Sequence, residues 1–117
     1  MTEHDKIMLL FVIADAKRDD VICETLEKQG CRMIMTIRGR GTVKSEMLTA
    51  MGLGDTHRSV TACVIKQENE DAVLTKLDRK MHFDQPGGGV AFTIDINSVG
   101  GQKALEYLHG PHETGGK

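Results

Sequence analysis

The chain has 117 residues, a length typical of one domain with a single hydrophobic core. Its formal net charge is −2 at pH 7, and aromatic residues make up only 3% of the sequence. A nucleic-acid-binding domain of this size usually carries a basic excess and aromatic side chains for base stacking. The composition therefore argues against DNA or RNA as a partner.

The first half of the chain predicts a strand, a helix and a second strand. Ile7–Ala14 is a continuous apolar run, as in a strand buried on both faces. Lys17–Gln29 has an acidic first turn, a basic last turn and Gly30 after it, which indicates a helix. Cys31–Arg38 is predicted to be a strand. Alternation places four apolar side chains on one of its faces: Cys31, Met33, Met35 and Ile37.

The second half predicts two more strands around an amphipathic helix. The strands are Ser59–Gln67 and Val90–Ile96, and the helix is Glu70–Met81. A weaker pattern from Ser98 to Leu108 indicates a short helix, and residues 110–117 are expected to form a flexible tail. No domain boundary interrupts residues 1–117, so we expect one domain with a core over about residues 6–104.

The order βαββαβ is typical of the α+β ferredoxin-like fold, a four-stranded antiparallel sheet with two helices on one face. In that topology the first and third strands are central. Two helices cover only one side of the sheet, so an apolar face is left open, on either the Leu10/Val12 side or the Phe11/Ile13 side. Because such a face is seldom left in water, we expect a homo-oligomer in which sheets pack together.

Two glycine-rich elements lie at predicted strand ends: Gly39-Arg40-Gly41-Thr42 and Pro86-Gly87-Gly88-Gly89. Glycines there let backbone amides approach a ligand, most often a phosphate. The first element opens a segment, residues 39–58, that is much longer than a hairpin loop and is predicted to be mobile. The second element is explained equally well as a turn. Neither is a GxxxxGK[ST] phosphate loop.

These elements, the long loop and the PGGGVAFTIDI segment resemble the P-II nitrogen-regulatory family over roughly residues 6–104. The resemblance implies a cytoplasmic signal-transduction protein that forms a homotrimer. It also implies an adenine nucleotide (ATP, ADP or AMP) as the effector in clefts between subunits, and a long loop that docks onto a membrane transporter or an enzyme.

Carried over by position, the resemblance implies that the ligand is bound by Gly39, Arg40, Gly41, Thr42, Gly87, Gly88, Gly89 and Lys103. The chain also departs from the family pattern. Val90 stands where the family has a phosphate-binding lysine, and Val43 where it has a glutamine that helps hold magnesium and 2-oxoglutarate. Gly101 and Lys103 stand near the positions of two arginines. The loop lacks the tyrosine of the uridylylation switch, since the only tyrosine is Tyr107.

Two interpretations apply to the charged and apolar residues of the long loop. Arg38 and Arg40 either are solvated or supply the positive charge that Val90 does not. The segment beginning at Ser45 predicts a short helix that either folds back on the domain or docks onto a partner. The predicted partner contacts are Lys44, Ser45, Leu48, Met51 and Leu53.

The alternative function is a CutA-like metal-binding or structural trimer that does not respond to nucleotide. The sequence feature that weakly favours metal binding is the pair His109 and His112. Neither histidine is accompanied by a cysteine or carboxylate cluster, so no metal ligand is assigned. The sequence contains no nucleophile elbow and no HExxH motif, so we expect no enzyme activity and no required cofactor.

The cysteines and the start of the chain indicate a reducing compartment. Cys23, Cys31 and Cys63 lie in apolar patterns without CxxC spacing, as buried free thiols do. The start, MTEHDK, lacks the apolar stretch of a signal peptide. Ile7–Ala14 has eight residues, far fewer than the roughly 20 of a membrane span. We therefore expect a cytoplasmic protein that does not insert into membranes.

Overall fold

The centre of the structure is a four-stranded antiparallel sheet. The computed structural model describes residues 6–39, 58–85 and 88–108. Its strands are β1 (Ile7–Asp15), β2 (Arg32–Gly39), β3 (Arg58–Lys66) and β4 (Val90–Asp95), in the order β2-β3-β1-β4. The first and third strands are central, which confirms the predicted ferredoxin-like arrangement.

Two helices cover one face of this sheet, and a third, shorter helix follows β4. They are α1 (Asp19–Lys28), α2 (Glu70–Met81) and α3 (Gln102–Leu108). The predicted bounds of α2 are confirmed, whereas the predicted first helix begins as a 3-10 turn, Ala16–Arg18. Asp15 Oδ1 accepts a hydrogen bond of 2.9 Å from the Lys17 amide and so starts that turn. Within the described ranges, no helix has the length and apolarity to cross a bilayer.

The main core lies between the sheet and the helices α1 and α2. Alternation along β1 directs Leu10 and Val12 to this side, where both are fully buried. They pack with the apolar stripes of the two helices: Ile22 and Leu26 from α1, and Val73, Leu77 and Met81 from α2. Each such side chain contributes about 1.5–3 kcal/mol by leaving water, so this layer fixes the positions of both helices.

The opposite face of the sheet is apolar and largely open. Phe11 of β1 and Phe92 of β4 stack on this face, with ring centroids 5.3 Å apart. Its large exposed side chains are Met35 (53% exposed), Ile37 (62%), Phe92 (42%) and Ile94 (50%). The structure therefore assigns the open face to the Phe11/Ile13 side. We call this surface the open face.

The helix α3 covers only one end of the open face. Its Leu108 packs with Ile7 and Val64, and Leu105 packs against the same small cluster. The sequence predicted a short helix here without a packing partner. The structure shows that the helix seals the end of the sheet where β1 begins and β3 ends.

A bulge in β2 changes which of its side chains share a face. Arg32 pairs with Val64 and Met35 with Ala62, so the register shifts by one residue between them. Met33 sits in this bulge with a left-handed φ of 52°. Cys31 consequently packs against the main core and not beside Met35. The prediction that Cys31 shares a face with Met35 and Ile37 was wrong for this reason.

Candidate functional site

The sheet places both glycine-rich elements at the same end. Gly39, the last residue of β2, pairs with Arg58, and Arg58 also pairs with Asp15 of β1. Gly89 comes immediately before β4, whose first residue, Val90, pairs with Ile13. Because β3 and β1 lie between β2 and β4, Gly39 and Gly89 are roughly 14 Å apart across the sheet. One small anion therefore cannot contact both Gly39 and Gly89 of the same chain.

Gly88 and Gly89 are buried and are packed tightly against the protein's own backbone. A Cβ on Gly88 would lie 2.8 Å from the carbonyl carbon of His82 and 2.9 Å from the Cα of Phe83. Gly89 has φ +89°, and a Cβ there would contact the Ile13 carbonyl oxygen and lie 3.1 Å from the Ala14 Cβ. Two adjacent glycines are therefore required for β4 to pair beside the end of β1, whether or not a ligand binds.

The other glycine-rich element begins in an open environment. Nothing lies within 4 Å of a Cβ built on Gly39, and the residue is exposed. Its backbone is extended, as in the rest of β2, so this position tolerates other side chains. Unlike Gly88 and Gly89, Gly39 has no packing reason to be glycine.

A buried carboxylate links the two strand ends that border residues 40–57. Asp19, the first residue of α1, is only 9% exposed and accepts hydrogen bonds from the Ser59 hydroxyl and, at 3.3 Å, from Arg38 Nε. Arg38 immediately precedes Gly39, and Ser59 immediately follows Arg58. The first residue of α1 thus contacts both strand ends that border the segment predicted to be a long, mobile loop.

The Asp19 contact gives Arg38 a charged partner within the chain. Its guanidinium forms an ion pair with Asp19, although the Arg38 side chain stays 69% exposed. Part of its charge is therefore balanced within the chain, and its role in binding a ligand stays a prediction. This pairing could not be predicted from the sequence, because Asp19 was explained as an acidic residue of the first helical turn and Ser59 as the start of a strand.

Lys103 lies far from the glycines within one chain. It is an exposed residue of α3, and α3 packs at the Ile7 and Val64 end of the sheet. Gly39 and Gly89 are at the other end. A single chain therefore does not bring Lys103 to the site predicted for it.

The other predicted site residues lie outside the described residues. These are Arg40, Gly41, Thr42 and Gly87 for the ligand, and Lys44, Ser45, Leu48, Met51 and Leu53 for a partner. Their roles stay predictions. In the ranges 6–39, 58–85 and 88–108, no group of three or more His, Cys, Asp or Glu side chains is arranged to hold a metal ion.

Comparison with known proteins gives matches only at the level of structure. No protein-family model and no curated protein matches the sequence. The chain superposes on CPII from Thiomonas intermedia, solved with ADP, AMP and acetate, with a TM-score of 0.65 and 15% identity over 86% of this chain and 93% of that one. It also superposes on Arabidopsis thaliana PII bound to citrate, with a TM-score of 0.62 and 17% identity over 84% of this chain and 82% of that one.

The chain has a divergent PII-like fold. The same fold is similar to part of a larger protein, a Bacillus cereus protein related to NIF3. That match has a TM-score of 0.61 and 9% identity, and covers 80% of this chain but only 26% of the other. The chain thus spans about a quarter of the NIF3-related protein but most of the length of both PII structures.

Proposed function

We propose that this protein is a PII-like regulatory protein that acts as a homotrimer. On this proposal it binds an adenine nucleotide between subunits and controls a partner through residues 39–58. The observation that carries the proposal is the open apolar face, next to a sheet end that holds both glycine-rich elements. The structural similarity to CPII, which was solved with ADP and AMP, supports an adenine nucleotide as the effector.

The trimer is proposed because the open face has the character of a subunit interface. Met35 and Ile37 of β2 and Phe92 and Ile94 of β4 are half-exposed at the two edges of this face. Ala62 and Phe11 of the central strands connect the two edges. A contiguous apolar surface of this kind is typically buried by association. Contacts between chains would also bring Lys103 of one subunit to the glycine end of another, which one chain alone does not do.

Light scattering coupled to gel filtration tests the trimer. We expect the wild type to elute with about three times the 12.9 kDa chain mass. Ile37→Glu, on the open face, should give a monomer. The matched control is Val21→Glu on α1, which also places a charge at an exposed apolar position (38% exposed) but away from the open face, and it should leave the trimer intact. A monomeric wild type, or equal effects of both variants, would contradict the proposal.

Nucleotide binding is proposed with Arg40 as the main source of positive charge. Val90 occupies the position of the family's phosphate-binding lysine, and Arg38 is already paired with Asp19. A charged hydrogen bond contributes about 1.5–3 kcal/mol, so Arg40→Ala should weaken binding by roughly 10- to 100-fold. Isothermal titration calorimetry against ATP, ADP and AMP measures this effect.

The control for that titration is Lys80→Ala, an exposed residue near the end of α2. It removes the same net charge without touching the proposed site, so its affinity should equal that of the wild type. Unchanged affinity in Arg40→Ala would remove Arg40 from the site. Heat with copper or zinc and none with nucleotides would favour the CutA-like alternative.

Control of a partner is tested by affinity capture with and without nucleotide. The wild type is compared with a variant that lacks residues 43–56, which contain the predicted contacts Lys44, Ser45, Leu48, Met51 and Leu53. A ligand shifts the loop only by its differential affinity for two loop states, so capture should depend on nucleotide. A transporter or enzyme that is captured equally by the deletion variant would contradict a role for the loop.

A further inference from the structure

A cavity of about 210 Å³ lies at the end of the sheet that α3 seals. Its walls come from the end of α1, the start of β2, the end of β3, the start of α2 and the last residue of α3. Because five elements meet there, the packing of the whole domain fixes its shape. An engineered cavity of about 150 Å³ accommodates benzene, so this cavity has room for a small organic molecule.

Two cationic side chains line this cavity, Arg32 of β2 and Lys66 of β3. Arg32 pairs with Val64, and Lys66 follows Val64 by two residues, so all three side chains lie on one face of the sheet. Arg32 and Lys66 are therefore diagonal neighbours, roughly 7–8 Å apart. Like charges at this spacing repel each other, and an anion bound between them would remove that repulsion.

Neither cation has an acidic partner within the part of the chain that the structure describes. The two ion pairs found there involve other cations, Lys28 and Arg38. The described residues that line the cavity include no Asp or Glu. Glu70, at the start of α2, instead accepts a hydrogen bond of 2.7 Å from the Thr93 hydroxyl. The cavity thus holds positive charge that these residues do not balance, in a protein whose net charge is −2.

The other walls of the cavity favour an organic anion over a simple inorganic one. The Arg32 guanidinium lies over the Tyr107 ring, 5.1 Å from its centroid. This contact restrains a planar group that can bind a carboxylate through two parallel hydrogen bonds. Val64, Val73 and Leu108 give the same cavity apolar walls. A carboxylate on a short apolar stem matches both the charged and the apolar walls.

We propose that this cavity binds a small organic carboxylate, with Arg32 and Lys66 holding its charge and the apolar walls holding its stem. Lys66 pairs with Ile7, which places the site at the Ile7 end of β1. The glycine-rich elements are at the Asp15 end, roughly 25 Å away along the nine residues of this strand. Within one chain the two sites are separate, so carboxylate binding does not depend on the proposed nucleotide binding.

The test is a titration of the isotope-labelled full chain with sodium butyrate at constant ionic strength, followed by amide chemical shifts. We expect saturable shifts at Arg32, Lys66 and Leu108. Each buried methylene tightens binding by about fourfold, so butyrate should bind roughly tenfold more tightly than acetate. Butanol has the same stem without the charge and should cause no saturable shift.

Two variants test the cations directly. Arg32→Gln and Lys66→Gln should each weaken butyrate binding by about 10- to 100-fold, the loss expected for one charged hydrogen bond. The matched control is Lys80→Gln, which removes the same charge from an exposed residue of α2 that does not line the cavity and should leave the affinity unchanged. Arg40→Ala, the variant that tests nucleotide binding, should also bind butyrate as the wild type does, so the two proposals fail independently.

Circular dichroism establishes which variants are folded, and the shifts of the wild type still locate the site if a variant is not. Unchanged butyrate affinity in both Arg32→Gln and Lys66→Gln would overturn the proposal. The same holds if butyrate causes no saturable shift, or if its shifts are confined to residues away from the cavity. Inorganic phosphate that binds as tightly as butyrate would also overturn it, because phosphate has no apolar stem.

Discussion

Replacing Gly89 by alanine separates a structural role of the second glycine-rich element from a ligand-binding role. Gly89 has φ +89°, a backbone conformation that side-chain-bearing residues rarely adopt. An alanine Cβ at this position would press on the Ile13 carbonyl oxygen and lie 3.1 Å from the Ala14 Cβ. Both neighbours belong to β1, the central strand, so they have little freedom to move away.

The expected loss of unfolding free energy is the sum of a backbone cost and a packing cost. A left-handed conformation costs a non-glycine residue about 1–2 kcal/mol. Overpacking a closely packed site typically costs a further 1–3 kcal/mol. Together we expect Gly89→Ala to lower the free energy of unfolding by about 2–5 kcal/mol, a large share of the roughly 5–15 kcal/mol of a typical domain. At about 4 °C per kcal/mol, the midpoint of thermal unfolding should fall by about 8–20 °C.

The assay is thermal and urea unfolding at one fixed protomer concentration, because association adds concentration-dependent stability. Gly39→Ala is the matched control from the other glycine-rich element. It has open space around the new methyl group and should shift the midpoint by no more than about 4 °C. If Gly89→Ala keeps wild-type stability but loses nucleotide binding, the packing argument is refuted and the residue serves the ligand.

Three further predictions concern the hydrogen bonds of Asp19 and the C-terminal end of α2. Asp19→Asn weakens the charged hydrogen bonds to Ser59 and Arg38 and should cost about 1.5–3 kcal/mol of unfolding free energy in urea titrations. The exposed pair of Glu24 and Lys28, 3.7 Å apart, is its control, and an effect of Glu24→Gln as large as that of Asp19→Asn would contradict the reasoning. Arg18→Ala removes two hydrogen bonds, of 3.1 and 3.0 Å, to the Met81 and Lys80 carbonyls at the end of α2. It should cost about 1–3 kcal/mol and speed amide exchange in the last turn of α2, and unchanged exchange there would argue against it. His82→Gly should stabilise the fold by about 0.5–1 kcal/mol, because His82 ends α2 with a left-handed φ of 56° that glycine adopts at lower cost. A lower unfolding midpoint in this variant would show that the imidazole makes a contact worth more than the backbone strain.

The parts of the fold that the sequence predicted are those governed by periodicity. The 3.6-residue repeat of Val73, Leu77 and Met81 fixed both ends of α2, and the continuous apolar run in β1 identified a central strand. Strand alternation also implied an open apolar face, because two helices cannot cover both sides of a sheet. Long, regular patterns of this kind average over many residues and so tolerate local exceptions.

The features that the sequence did not predict depend on single residues or on long-range contacts. The bulge at Met33 inserts one residue into an otherwise regular apolar alternation, and its left-handed φ has no glycine to signal it. The contact of Asp19 with Ser59 joins residues 40 positions apart, and each residue had an adequate local explanation.

The two glycine-rich elements carry different weight as evidence for a ligand. Gly88 and Gly89 are required by packing against His82 and Ile13, so their presence would be expected even in a protein that binds nothing. Gly39 has no such requirement, and it lies next to Arg38, whose largely exposed side chain pairs with Asp19. An anion bound at this end of the sheet would lie near the Arg38 guanidinium, whose charge Asp19 already balances in part. The evidence for an anionic effector therefore rests on the loop side of the site, and an Asp19→Asn variant that keeps its fold should bind nucleotide with altered affinity because it releases Arg38.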